Sequence, residues 1–513
     1  MNTADRREAG TIAREGADNA SARPEDTGDL AATSKTGAPE RTGPVPRSLQ
    51  RGTVDISVAI MTHPERLAEA EALAAAHPEL AATVVVDPDP GRPGNVACAA
   101  AAWKARRPGA THHLVLQDDC RLSKRFVDTV LDLVERYPQQ ALSLFTYWAT
   151  GTAAALRTAA AAGCRVAEVR ESYFPTVAAV LPAHLADGFG EFFDAYAAEL
   201  PEADDVAMGA FLYWRGVKRL AVVPTPVEHT GTESLTGNGY QGDRESVCFE
   251  DDAEAAGLSW DAAEPDAISG MDPTRAGQEH GYRAERNLPT RFFVAPWTHR
   301  HGPKAFTALG AATAETDQAA AVAAFLEAEP AASPLLLSSL WLAGYAFGAD
   351  LVATPVRTYA PEGPRTPNRL PVDPAAVSDL LDAPVLAQCA RAAAKGLGAF
   401  DPALSGLGSG SEGTGVGEAV DAVGPLSATG GAGTAVANAA DADDPALRAA
   451  SVPVADLPGG AVAIPSSTGH RLAHRSALAR TAEPTPARAD RIAALADFYR
   501  AAALAGAAHG RRD

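Results

Sequence analysis

Residues 112–126 read HHLVLQDDCRLSKRF, a mostly apolar run that ends in two adjacent carboxylates, Asp118 and Asp119. Paired negative charge at the end of a buried strand needs solvent, a cation or a reaction to offset its repulsion. Neighbouring side chains on a regular strand point to opposite faces, so both acids can face one cavity only if the strand ends at Gln117 and the chain turns. Hard divalent cations take oxygen ligands, and Mg2+ commonly binds one or two carboxylates together with substrate phosphates. The alternative is a solvated turn in which one acid caps a helix beginning near Ser123.

Other candidates lie at similar junctions. His229 follows the strand-like LAVVPTPVE. A lone histidine is more often a structural hydrogen-bonder than a ligand; as a ligand it would admit Mn2+ as well as Mg2+, because imidazole suits transition metals. Ser234 and Asn238, in the stretch that follows, either donate to a diphosphate or are ordinary turn residues. Asp87 closes a second strand, and its carboxylate would accept the imide N–H of uracil, favouring uridine nucleotides; DPDPGRPGN equally reads as a turn. Asn95 is expected to cap the helix VACAAAAWKA rather than hold a loop against a ribose. Asp204 and Asp205, in PEADDVAMGAFLYWRG, begin a helix. They are either capping acids or the source of a general base for an acceptor hydroxyl.

The elements that must position these residues alternate in type. Strand-like DISVAIM, ATVVVD, HHLVLQ and ALSLFTYW are separated by helical PERLAEAEALAAAH, NVACAAAAWKARR and KRFVDTVLDLVERY. This alternation predicts an α/β domain with a mainly parallel sheet over residues 53–250, whose ligands sit beyond the carboxyl ends of the strands. Residues 1–52 and the low-complexity stretch 401–485 read as disordered. Residues 251–287 are acidic and turn-rich and are expected to be a linker. Residues 288–400 form a second, mostly helical region without an assigned role, and 486–513 carry an amphipathic stretch that either docks as a helix or stays loose.

Composition narrows the function. The 513 residues carry a formal net charge of −20, which disfavours nucleic-acid binding through a basic surface. The five cysteines are scattered with no CxxC pair, arguing against a zinc ribbon or disulfide framework and for a reducing cytoplasm. The N-terminal residues have no apolar core of the secretory type. The uncharged SPLLLSSLWLAGYAFGA falls short of the ~20 apolar residues of a bilayer span and is expected to be a buried helix.

Six segments, in order, resemble the GT-A class of nucleotide-sugar-dependent glycosyltransferases, in its family 2-like form. They are SVAIMTHPERL, VVVDPDP, GN before an alanine-rich helix, HHLVLQDDCRLSKRFVDTVLDLV, ADDVAMGAFLYWRG and PTPVEHTGTESLTGN. LVLQDDCRL looks like the acidic DxD or EDD motif. VEHTGTESLTGN is similar to the metal-binding histidine segment of the branching N-acetylglucosaminyltransferases. The resemblance implies a Rossmann-like GT-A catalytic domain, a UDP-linked sugar donor, a hydroxyl acceptor and Mn2+ or Mg2+. It makes Asp119 and His229 metal ligands and puts Asp118 on the ribose or a metal-bound water. Thr62 and Asp87 would line the nucleobase and ribose pocket, with Asn95 beside them and Ser234 at the diphosphate. Asp205 would be the base, and Asp204 a cap or acceptor anchor. Gln117 departs from the motif by standing where DxD has its first acid.

Three other readings stay open at this level. A sugar nucleotidyltransferase would carry a glycine-rich phosphate loop after the first strand, where this chain has MTHPERLAEAEAL. A receiver domain would place an acid pair there and has none. A sugar-nucleotide binder without transfer activity is separated from an enzyme only by turnover. Inversion at the anomeric carbon is expected, with retention not distinguished by the sequence.

Overall fold

The computed structural model describes residues 49–170, 173–230, 244–273, 279–288, 291–298, 314–330, 332, 334–360, 372–398 and 486–509. The expected disordered stretches 1–48 and 401–485, and both Ser234 and Asn238, lie outside the described residues.

The first half runs β1 (Gln50–Arg51), β2 (Val54–Thr62), α1 (Leu67–Ala76), β3 (Thr83–Val86), α2 (Val96–Lys104), β4 (His112–Gln117), β5 (Cys120–Leu122) and α3 (Phe126–Arg136). Next come β6 (Ala141–Ser143), α4 (Gly151–Ala161), β7 (Cys164–Glu168), β8 (Ala178–Pro182), α5 (Ala183–Tyr196), α6 (Asp204–Trp214), β9 (Arg219–Val222) and β10 (Val227–His229). After these lie β11 (Ser259–Pro265), β12 (Ala267–Pro273), β13 (Glu279–Leu288), β14 (Arg291–Thr298), α7 (Ala314–Ala328) and α8 (Pro334–Ala353). The chain ends with β15 (Val356–Tyr359), α9 (Val377–Leu381), α10 (Pro384–Gly398) and α11 (Pro486–His509).

A ten-stranded mixed sheet follows the order β1-β2-β4-β8-β6-β9-β7-β11-β15, with β3 also on β2. Most strands run one way: β3, β2 and β4 are mutually parallel, as are β6 and β9. β8 lies antiparallel between β4 and β6, and β7 and β11 also run against the majority. The chain is therefore α/β, with a C-terminal helical region packed on it.

Side-chain alternation explains the layers. Ile56, Val58 and Ile60 of β2 join Leu114 and Leu116 of β4 in one apolar cluster with Ala70 and Leu73 of α1 and Val130 and Val134 of α3. Ala59, Met61 and Val115 face the other way, into a cluster with Trp103 of α2, Leu156 of α4, Phe189 of α5 and Phe211 of α6. Helices therefore cover both faces, and the period-two pattern of the strands decides which residue meets which layer.

Three expectations are corrected. The folded part begins before residue 53, since Leu49 is buried and Gln50 pairs with Asp55 in β1–β2. Residues 251–287 are not a linker: β11 pairs in parallel with β7 and antiparallel with β15 inside the main sheet. Two of the acids are paired at the sheet: the fully buried Glu264 lies 3.7 Å from Lys218, and Asp266 pairs with Arg357. Nor do residues 288–400 form a separate core. Trp341 and Tyr345 of α8, Cys389 of α10 and Tyr499 of α11 share one buried cluster with α2, α4, α5 and α6.

The amphipathic C-terminal stretch docks as α11 against α8. Their backbones approach so closely that a Cβ on Gly348 would lie 1.8 Å from Ala503 O, so only glycine fits. α8 contains the long uncharged stretch and is buried as expected, and no helix among the described residues is long and apolar enough to cross a membrane.

Candidate functional site

The parallel register of β3, β2 and β4 levels their carboxyl ends. Met61 pairs with Gln117 and Thr62 with Val86, so Thr62, Asp87 and Asp118 leave the sheet side by side. β4 ends at Gln117 and the chain turns through Asp118 and Asp119 before β5, the geometry that lets both acids face one cavity. Thr62 Oγ1 donates to Asp118 Oδ2 at 2.6 Å, while Thr62 O accepts from Asp87 N at 2.9 Å. The Cys98 thiol, on α2, reaches the same carbonyl at 3.6 Å. Burial, with Asp87 next, pushes Cys98 up to about 12, so it stays a neutral thiol at this strand end.

The pairing of β10 with β5 brings His229 to Asp119. His229 stands opposite Cys120, and Thr230 N donates to Asp119 O at 2.8 Å. His229 Nε2 lies 3.2 Å from Asp119 Oδ2, but not in hydrogen-bonding geometry, since neither ring nitrogen has a hydrogen-bond partner. Two arginines complete the group. Arg66, in the 3-10 turn Pro64–Arg66, places Nη1 2.9 Å from Asp119 Oδ2 and 3.4 Å from Asp118 Oδ1. Arg244 Nη2 lies 4.0 Å from the same Asp119 oxygen.

The two acids diverge electrically. Burial pushes Asp118 up, opposed by its Thr62 hydrogen bond and by Arg66. Burial acts the same way on Asp119, but His229, Arg244 and Arg66 outweigh it and hold this carboxyl well below the usual range. Asp119 is thus a fixed anion, and its Oδ1 is buried without a hydrogen-bond partner.

A second pair of acids opens onto the same place from α6. Asn95, expected as a cap of α2, makes no side-chain bond to that helix. It clasps Asp204 instead: Nδ2 donates to Asp204 Oδ1 at 2.8 Å and Oδ1 accepts from Asp204 N at 2.9 Å. Gly94 permits this approach, because at φ +81° a Cβ there would sit 2.1 Å from Glu202 O. Asp204 is buried and Asp205 half-buried. Burial first, then the neighbouring Asp204 charge, pushes Asp205 up to about 7. Arg244 feels both Asp119 and Asp205, so the two acid pairs share one electrostatic environment.

The structure therefore gathers Thr62, Asp87, Asn95, Asp118, Asp119, Asp204, Asp205 and His229 around the ends of β2, β3 and β4. Sequence reasoning gave no role to Arg66, Arg244 or Cys98. Arg66 sits inside the quoted SVAIMTHPERL, whereas Arg244 lies beyond the last quoted segment and carried no signal.

The donor set suits a transition-metal cation. Asp119 Oδ1 and the His229 nitrogens are buried, unpartnered and adjacent, and imidazole with carboxylate is the ligand chemistry of Mn2+ more than of Mg2+. Among the described residues no group of three or more histidine, cysteine or acidic side chains is arranged to hold a metal, so further ligands would come from a bound substrate. The chain matches no protein-family model and no curated protein sequence.

Proposed function

We propose that the chain is a metal-dependent glycosyltransferase that moves a sugar from a nucleotide diphosphate, UDP-linked in the favoured case, to a hydroxyl acceptor. The reading is carried by one observation: a fixed Asp119 carboxylate with an orphaned oxygen beside an orphaned His229, at the carboxyl ends of parallel strands and under the same Arg244 charge as Asp205, which burial pushes up to about 7. Asp119 and His229 would hold the cation, which when bound supplies positive charge for the leaving diphosphate. Asp87 and Thr62, at the ends of β3 and β2, would line the base and ribose of the nucleotide. Asp205 takes the proton of the acceptor hydroxyl as its oxygen bonds to the anomeric carbon and the bond from that carbon to the diphosphate breaks. A carboxylate titrating near neutrality suits that task.

A thermal-shift comparison tests the donor site. UDP at 100 times its dissociation constant adds about 2.7 kcal/mol of stability, and the shift should be much larger with Mn2+ than with EDTA. Equal shifts in both conditions would remove the metal from the reading. Asp119→Asn and His229→Ala should each lose the metal-dependent part of the shift. Asp118→Ala should lose less, because both Asp118 oxygens already have partners in Thr62 and Arg66 whereas Asp119 Oδ1 has none. A variant at Asp119 or His229 that responds to UDP and Mn2+ like wild type is not altering a ligand.

A further inference from the structure

The Asp118–Asp119 turn is already neutralised by protein charge. Two carboxylates face two guanidiniums, those of Arg66 and Arg244, at 2.9, 3.4 and 4.0 Å. A divalent cation entering alone at Asp119 Oδ1 would meet the positive charge of both arginines, gathered on the other oxygen, Oδ2. A cation entering with a diphosphate would not, because the phosphate oxygens offer the guanidiniums a new anion. Arginine binds phosphate as readily as carboxylate, through the same planar fork.

Arg66 is the arginine placed to exchange. It makes the shorter contacts and reaches both acids through one nitrogen. Its backbone lies in a three-residue turn just beyond β2, level with the acids it holds. Arg244 stands farther off, 4.0 Å from Asp119 alone.

We propose that Arg66 is a charge latch on the Asp118–Asp119 turn, released by a diphosphate so that cation and nucleotide load together. The inference rests on the donor-site reading above and adds its order of assembly: the site refuses metal alone and accepts it with the nucleotide. Its thermodynamic content is a positive coupling between Mn2+ and UDP, each tightening the other by the same factor. Arg66 acts through the acids it holds and is a positioning residue, not a catalytic one.

The test follows free Mn2+ by electron paramagnetic resonance as it is titrated into the full chain, with and without saturating UDP. In wild type, UDP should tighten Mn2+ about tenfold or more, within the roughly 5–150-fold span common for coupled sites. Arg66→Gln keeps a polar side chain but removes the charge. It should bind Mn2+ alone about tenfold more tightly than wild type, with UDP adding little further. Arg66→Gln that binds Mn2+ alone no better than wild type, while wild type still couples Mn2+ to UDP, overturns the latch and leaves the donor site standing. Wild type that binds Mn2+ equally well with and without UDP overturns the latch too, and needs no variant to fold. Wild type that binds Mn2+ in neither condition removes the donor-site reading and the latch with it.

Discussion

Asp205→Asn should lower transfer to acceptor by about 10²–10⁴-fold while UDP–Mn2+ affinity stays within a few-fold of wild type. The side chain keeps its size and its ability to accept from Val206 N, the 2.7 Å bond it makes now, but can no longer take a proton. Loss of a positioned base typically has an effect of that magnitude. The substitution also removes a charge that burial and Asp204 disfavour, so it should not weaken the fold. Loss of UDP binding in the variant would move Asp205 into the donor site. Full activity would shift the role to Asp204, whose Oδ2 is buried without a hydrogen-bond partner, or remove the base from α6 altogether.

The same residue sets a pH dependence. A general base works in its deprotonated form, and Asp205 is raised to about 7 rather than resting near the ordinary aspartate value. Transfer by wild type should therefore climb as pH rises through neutrality, and residual transfer by Asp205→Asn should lose that limb. A wild-type rate that is flat between pH 5 and pH 8 (roughly one unit or more either side of the inflection) would exclude Asp205 as the titrating group.

The local parts of this site were legible in the sequence. β-branched runs marked β2, β3 and β4, and the Asp118–Asp119 pair announced where β4 had to turn. What depended on distant pairing was not legible. Only the resemblance joined His229 to Asp119, which it meets through the β10–β5 register, and nothing joined Asn95 to Asp204, 109 residues away. The run at 141–148 looked like one strand but forms a strand over Ala141–Ser143, with a further isolated bridge from Tyr147 to Ser246. β8 enters antiparallel between β4 and β6, an arrangement that the alternation of strands and helices does not encode. Alanine gives little contrast between helix and strand, so the short Cys164–Glu168 and Ala178–Pro182 strands passed unnoticed. β11 was hidden by its acids, which look like turn chemistry until Lys218 and Arg357 are seen beside them.

Glu250→Ala should be far more destabilising than its place near a chain bend suggests, by about 3–5 kcal/mol. Glu250 Oε1 accepts from Thr129 Oγ1 at 2.7 Å and from Arg165 Nη2 at 3.1 Å, and Oε2 accepts from Ser123 Oγ at 2.7 Å. Arg165 and Glu250 each keep only 5% of their side chains exposed. Burial already lowers the Arg165 pKa, with Glu250 the chief opposing influence. Alanine would leave a buried guanidinium whose remaining contacts are the Trp260 ring, 3.9 Å below it, and a 3.4 Å bond from Nε to Val223 O. Two hydroxyls would lose their acceptor at the same time. The loss is large against the ~5–15 kcal/mol by which folded proteins are stable. Asp128→Ala provides the contrast: its 3.3 Å pair with Arg51 involves a carboxylate side chain 67% exposed, and such pairs contribute about 1 kcal/mol or less. Denaturant midpoints of the two variants, measured side by side, separate a buried charge network from a surface ion pair. Equal midpoints would mean that the protein relaxes to solvate Arg165. In that case Ser123, Thr129 and Arg165 are not what fixes the start of α3 and the β5–β10 pairing that carries His229 to Asp119.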